Sequence, residues 1–311
     1  MHQPKITREQ KERIQADLTL LLVAVLWGSA FVAQRVAAQN ISVYLFNGAR
    51  FLLGAIVLLP LLRLSHTKVH LLSMDALGVI LAGCLIFAGT SLQQYGMRWT
   101  TAANAGFITG LYVVIIPLLL AIFLRQPPKG FIWMAAAMAT VGLFLLSTGG
   151  SLQLAPGDGY ELAGAWMWAM HVILIGWLVK RVDILTISVI QYSVCAALSF
   201  ALGLALDGLS TSGLNRVWWT ILYTGIVSIG LGYTLQAVGQ KTAPPAEAAI
   251  ILCGETVFAT LAGWMLLGEN LSTIQILGCT LMLSGMILAQ VIPAFGPKIT
   301  IQELRERARD E

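Results

Sequence analysis

Apolar residues fill the chain in long runs, and polar residues are confined to the short breaks between them. Runs of about 20 residues recur from end to end, each long enough to cross about 30 Å of hydrocarbon as a helix. Ten spans are expected, at 18–38, 42–62, 74–97, 101–124, 130–149, 160–179, 185–206, 217–239, 245–267 and 272–292. Connections this short leave no room for a separate soluble domain. The pattern predicts an all-α polytopic membrane protein.

Composition agrees. Hydrophobic residues make up 57% of the chain and charged residues 11%, where a soluble domain carries about 25% charged. With a mean hydropathy of +0.79, the apolar residues cannot all fit inside a soluble core. The opening "MHQPKITREQKERIQAD" is too long and too mixed in charge for a cleavable leader, so 1–17 is expected to be a cytosolic tail. The other end, 293–311, reads as a second cytosolic tail, a short solvated helix or a disordered stretch. Cys84, Cys195, Cys253 and Cys279 all fall inside expected spans, and no pair has metal-ligand spacing. The net charge of +4 does not point to nucleic acid, because the basic residues follow topology.

With the N-terminus in the cytosol, that side collects Lys5, Arg8, Lys11, Arg13, Arg63, Lys68, Arg125, Lys129, Lys180, Arg181, Lys241 and, in the C-terminal tail, Lys298, Arg305, Arg307 and Arg309. Only Arg35, Arg98 and Arg216 fall on the other side, and Arg50 sits within the second span. This asymmetry predicts two cytosolic termini in a cytoplasmic membrane.

The chain also repeats. "GTSLQQYGMRWTTAANAGFI" (89–108) aligns with "GYTLQAVGQKTAPPAEAAII" (232–251), matching Gly89, Leu92, Gln93, Gly96, Ala105 and Ile108 to identical residues. Farther on, Gly142 meets Gly285 and Tyr112 meets Glu255. A weaker match sets "LWGSAFVAQR" on "MWAMHVILIG" and Trp27 on Trp168. The chain therefore divides into two five-helix repeats, 18–149 and 160–292. An odd number of spans per repeat inverts the second relative to the first, an arrangement found in secondary transporters with a site near the midplane.

These features resemble the EamA-type proteins of the drug/metabolite transporter superfamily. The residues that carry the resemblance are "LLVAVLWGSAFVAQRVA" at the start and "ILCGETVFATLAGWMLLGENLS" in the ninth span, within a five-plus-five repeat over about 18–292. Thr256 stands where the family usually has proline, so a weaker helix break is expected there. Arg125-Gln126 replaces the Gly-Glu ending that Gly268-Glu269 forms in the second repeat. The helix 1 glutamate that related small multidrug exporters use for proton coupling has no counterpart between Leu18 and Ala38. The resemblance implies movement of small metabolites, amino acids or toxic compounds across the cytoplasmic membrane. It also implies a cavity among helices 1, 3, 4, 6, 8 and 9, with helices 2, 5, 7 and 10 as outer support.

Glu255 stands about ten residues into the ninth span, roughly 15 Å deep at 1.5 Å per residue. An ionisable group there is a candidate coupling-ion site, proton carrier or partner for a substrate amine; the plainer reading is a protonated carboxyl that caps backbone. His171, near the middle of the sixth span, can shuttle a proton or bond substrate, or be satisfied by a neighbour. Trp27 and Trp168 suggest cavity walls with an indole N–H free for substrate, or packing bulk. Tyr112 is expected to line the same cavity. Gln93, Gln94 and Gln236 either contact substrate or bind helices together. Arg98 and Asn104 flank the turn between helices 3 and 4 and are gating candidates, although an interfacial arginine usually snorkels. Pro117 should kink helix 4 and free a carbonyl, which makes it the third gating candidate. Glu247 is accounted for by the helix dipole, and Arg50 is read as a structural partner of another helix because helix 2 is expected to be peripheral.

No GxxxxGK[ST] segment is present, which argues against ATP-driven pumping, and no HExxH, GxSxG or paired aspartates suggest an enzyme. A sensor or assembly factor would need soluble surface that short loops hardly supply. The expected function is a secondary transporter exporting amino-acid-like or hydrophobic metabolites; uptake is the alternative. No cofactor is called for beyond coupling to protons. A phosphate-bearing substrate would want several midplane Lys or Arg, and none is expected there. Monomer and homodimer are both left open.

Overall fold

The computed structural model describes residues 7–62, 74–100, 102–151, 154–208, 210–267 and 271–295. All regular structure among them is helical, and it falls on the ten expected spans. The first repeat holds α1 (Arg8–Asn40), α2 (Val43–Leu62), α3 (Met74–Gly96), α4a (Ala102–Gly110), α4b (Tyr112–Ile122) and α5 (Gly130–Thr148). The second holds α6 (Asp158–Leu178), α7 (Ile184–Leu206), α8 (Leu214–Gln240), α9a (Pro245–Leu252), α9b (Glu255–Leu267) and α10 (Thr273–Phe295).

Local signals set the ends. Thr7 caps α1 in a reciprocal box with Gln10, so the helix starts at Arg8 and takes in much of the segment expected to be a tail. Asp183 caps α7 by accepting from the Thr186 N–H at 3.2 Å. Gly149, at φ 60°, closes α5 in the left-handed region that favours glycine. Pro245 opens α9a, where its missing N–H costs nothing.

Each helix packs chiefly against a partner from the other repeat: α1 on α8, α2 on α7, α3 on α6 and α5 on α10. The α5–α10 contact shows the symmetry. A Cβ on Gly142 would lie 2.6 Å from the Gly278 carbonyl oxygen, and one on Gly285 would lie 2.8 Å from that of Ala135. The alignment pairs Gly142 with Gly285 and Ala135 with Gly278, so one contact is the other turned over. Ile56, Val141 and Ile287 stay exposed on the outside, as suits side chains that face lipid.

Three irregularities depart from straight spans. The fourth helix breaks at Leu111, not at Pro117, which lies within α4b. The ninth breaks at Cys253–Gly254, where the Gly254 N–H turns to the Ile251 carbonyl at 3.0 Å. Thr256 in place of proline therefore does not prevent a break, because the turn forms just before it. Within α8, Thr224–Tyr233 is π-helical. Gly268–Glu269 and 296–311 lie outside the described residues.

Candidate functional site

The two breaks occupy equivalent positions of the repeat. Tyr112 is the first residue of α4b and Glu255 the first of α9b, and both line one central cavity of about 50 Å³. That is room for a few waters at roughly 10–15 Å³ each. A carboxylate at the first turn of a half-helix sits where the backbone dipole favours negative charge. The Glu255 side chain makes no hydrogen bond or ion pair with any described residue, and only 5% of the residue is exposed. α1 presses against this break, because a Cβ on Gly28 would lie 2.5 Å from the Glu255 carbonyl oxygen.

Aromatic rings form the wall. Tyr233, the last residue of the π-helical stretch, has its ring centroid 4.8 Å from that of Trp27, 6.0 Å from Trp168 and His171, 6.2 Å from Phe51 and 6.3 Å from Tyr192. Trp27 is a wall, but its indole N–H is spoken for: it donates to the Ser228 carbonyl at 3.0 Å. The expectation of a free indole donor is corrected for Trp27. Trp168 lies flat on Gly89, 3.1–3.2 Å from where a Cβ would stand. His171 shares the cavity with Glu255, its Nε2 held by Gln191 at 3.1 Å and its Nδ1 without a partner among the described residues.

Of the amides, Gln93 and Gln236 line the cavity and Gln94 does not. Gln94 is fully buried and donates to the Gln34 carbonyl at 2.8 Å, binding α3 to α1; as a substrate contact it is corrected. Gln236 donates to Gln240 at 3.0 Å, and Gln240 to the Val172 carbonyl at 2.8 Å, which ties α8 to α6. Arg98 is exposed, reaches the Ile41 carbonyl at 3.5 Å and lies 5.8 Å from the Tyr95 ring, outside the cavity. The side chain of Asn104 lies outside the described residues.

Arg50 does partner another helix, as expected, through Gln34 of α1, but its placement is the largest correction. α2 is not purely peripheral: it packs on the π-helical stretch of α8, and Arg50 and Phe51 both face the cavity. Arg50 is 2% exposed, donates through Nη1 to Gln34 Oε1 at 2.9 Å, and its Nε has no partner among the described residues. An arginine therefore does reach the cavity. Glu247 also gains a partner, an ion pair with Arg13 across the repeats.

Sequence reasoning missed Tyr233 and Glu161. Glu161 is wholly buried beneath the contact of α3 with α6, where Gly157 and Gly96 let the backbones touch. Gln93 donates to Thr109 Oγ1 at 3.2 Å, and Thr109 donates to Glu161 Oε2 at 3.1 Å, so a chain of hydrogen bonds leads from the cavity to a second carboxyl. Glu161 stands just inside an expected span, where a carboxylate in the first turn of a helix draws no attention. Nothing in the single sequence marks Tyr233 as a residue that faces the cavity.

The lining is half apolar or aromatic and half polar or charged, nine residues of each, a richer polar set than small-molecule sites usually carry. Arg50 Nε, Tyr112 Oη, His171 Nδ1 and Gln236 Oε1 are buried atoms of lining residues with no hydrogen-bond partner among the described residues.

A model of the EamA-like transporter family matches residues 14–148 and again 155–290. An uncharacterized transporter of Archaeoglobus fulgidus is 28% identical over 289 residues, covering 91% of this chain and 88% of its own. The uncharacterized inner membrane transporter YedA of Escherichia coli K12 is 26% identical, covering 86% and 88%. The uncharacterized transporter YoaV of Bacillus subtilis is 20% identical, covering 88% and 96%. A solved crystal structure at 20% identity superposes with a TM-score of 0.75, covering 90% of this chain and 98% of that one, and so shares its fold.

Proposed function

The chain belongs to the EamA-like transporter family, and from that premise we propose that it exports small amphipathic metabolites, amino-acid-like or hydrophobic, across the cytoplasmic membrane by alternating access. Both termini face the cytosol in this reading, and the repeats, 18–149 and 160–292, rock about the central cavity. The observation that carries it is the matched pair of helix breaks. They deliver Tyr112 from one repeat and Glu255 from the other to a single aromatic cavity walled by both. Glu255 is the group for a substrate amine or a coupled proton, with His171 as the second proton-bearing group.

The test is metabolite profiling of the medium around cells carrying the wild type, Glu255→Gln at matched membrane level, or empty vector. The expected result is one or more small amphipathic compounds enriched by the wild type alone. Depletion of such a compound from the medium by the wild type would reverse the direction to uptake. An unchanged medium across substrates the cells are known to make would sink the transport reading.

A further inference from the structure

We infer that Glu161 is a proton-binding site of the transport cycle, set apart from the cavity on the seam between the repeats, filled when α3 and α6 close over it and emptied when they part. This rests on the transport reading and adds a proton site to it.

Asp158 and Glu161 stand one turn apart at the start of α6, in the second repeat, and hydroxyls of the first repeat hold both. Thr100 donates to Asp158 Oδ1, and Thr109 of α4a donates to Glu161 Oε2 at 3.1 Å. The two carboxyls are not equally satisfied. Asp158 also accepts on its second oxygen, from the Ala155 N–H at 2.8 Å, in a first turn where the dipole favours a charge. Glu161 is 0% exposed, its Oε1 has no partner among the described residues, and neither ion pair among them includes it. An uncompensated carboxylate is costly in such a place, and a proton removes the cost.

No described cation faces it. α3 presents Gln93 and Gly96, α4a presents Thr109, and Asp158 on its own helix is the one described charge that acts on it. Arg98 reaches the Ile41 carbonyl instead, and the Tyr95 ring packs on Trp99 and Tyr160. Tyr112 of α4b lines the cavity, and Glu247 of α9a pairs with Arg13.

The cover over the carboxyl is backbone. A Cβ on Gly96 would lie 2.7 Å from Glu161 Oε1 and 3.0 Å from the Gly157 carbonyl oxygen. This contact belongs to the surface that must part if the repeats rock. Parting admits water to the carboxyl and closing shuts water out, so proton binding and the motion are linked. The step is a plain proton transfer: hydronium gives its proton to the carboxylate, and the acid returns it to water when the seam opens. The site has no twin. Counting from the matched tryptophans, Asp17 answers to Asp158, but a leucine, Leu20, stands where the second repeat has Glu161. Proton exchange is therefore confined to one end. In the orientation proposed above that end faces away from the cytosol, so acid outside favours the closed seam.

The experiment is hydrogen exchange of the purified full chain in detergent across a range of pH. The amides of 96–100 and 157–161 report the seam, and those of α5 around Gly142 supply the correction for the chemical effect of pH. In the wild type the opening constant of the seam should rise about tenfold per pH unit where one proton is lost on opening. Glu161→Gln keeps an acceptor for Thr109 but cannot ionise, so its seam should not respond to pH. Asp158→Asn keeps an acceptor for Thr100 and should retain the wild-type slope. Infrared spectra over the same range should show one titrating carboxylic-acid carbonyl that Glu161→Gln lacks. A flat wild type overturns the proposal, as does a slope that survives in Glu161→Gln or is lost in Asp158→Asn. If Glu161→Gln does not fold, the wild type and Asp158→Asn still decide, since a slope absent from either rejects the site. Export by a chain whose seam ignores pH rejects the proton site alone, whereas an unchanged medium rejects transport itself.

Discussion

Trp27 lies against the α-carbon of Gly232, and the equivalent tryptophan of the other repeat, Trp168, lies against the equivalent glycine, Gly89. Each central indole thus rests on a bare backbone in the opposite repeat. The two contacts are not equally tight. A Cβ on Gly232 would stand 2.5 Å from Trp27 Nε1, while one on Gly89 would stand 3.1 Å from the Trp168 ring. Gly232→Ala should displace the Trp27 indole from the Ser228 carbonyl and lower stability by about 1–3 kcal/mol. Gly89→Ala asks for a shift of a few tenths of an ångström and should cost clearly less. Thermal unfolding of the two variants in detergent, with efflux of whatever solute the medium profile names, checks this order.

Gly28 offers a sharper test of the helix break. Its hypothetical Cβ meets backbone, the Glu255 carbonyl oxygen at 2.5 Å and the Ala259 nitrogen at 2.9 Å, so no side chain can swing aside. Gly28→Ala should separate α1 from α9b and reduce efflux severely at equal expression. Gly130→Ala, with nothing within 4 Å, is the control and should be neutral or stabilising by up to about 1 kcal/mol in its helix. Normal efflux by Gly28→Ala would mean that α1 does not fix the position of Glu255.

At the end of the bundle where α1 and α9a begin, Arg13 and Glu247 form a partly buried ion pair. A flipped Gln290 amide would donate to both oxygens of Asp17, at 2.7 and 2.9 Å, one turn farther along α1. A double-mutant cycle with Arg13→Ala and Glu247→Ala should give a coupling of about 1.5–3 kcal/mol in unfolding. A coupling near zero would return Glu247 to the helix-dipole account.

Glu161 predicts a contrast between substitutions. Glu161→Gln keeps an acceptor for the Thr109 hydroxyl and should change stability by less than about 1 kcal/mol. Glu161→Ala leaves that hydroxyl unpaired and should cost about 1–3 kcal/mol. Equal losses in melting temperature for both would show that the carboxyl group itself is required.

The architecture was readable because hydrophobic run length and internal repetition act along the chain, and both survive in one sequence. Glu255 and Tyr112 stood out for the same reason: one is a charge in an apolar run, the other its repeat partner. What escaped depends on contacts between distant segments. Arg50 was visible as a buried charge, but its place was misjudged because the approach of α2 depends on glycines in α8, such as Gly225 against the Arg50 carbonyl. Glu161 escaped for a related reason. The register that sets Trp27 on Trp168 sets Leu20 on Glu161, and Leu20 packs on Gly239 as Glu161 packs on Gly96. One repeat filled that niche with a leucine and the other with a carboxyl, so symmetry pointed to packing.

The π-helical stretch of α8 has no counterpart in α3, its partner in the repeat. Two identical inverted halves would make the inward-facing and outward-facing forms mirror states of equal free energy in a symmetric bilayer. Under the alternating-access proposal, rewinding one of the halves would remove that degeneracy and give the protein a resting preference for one side of the membrane before any gradient is applied.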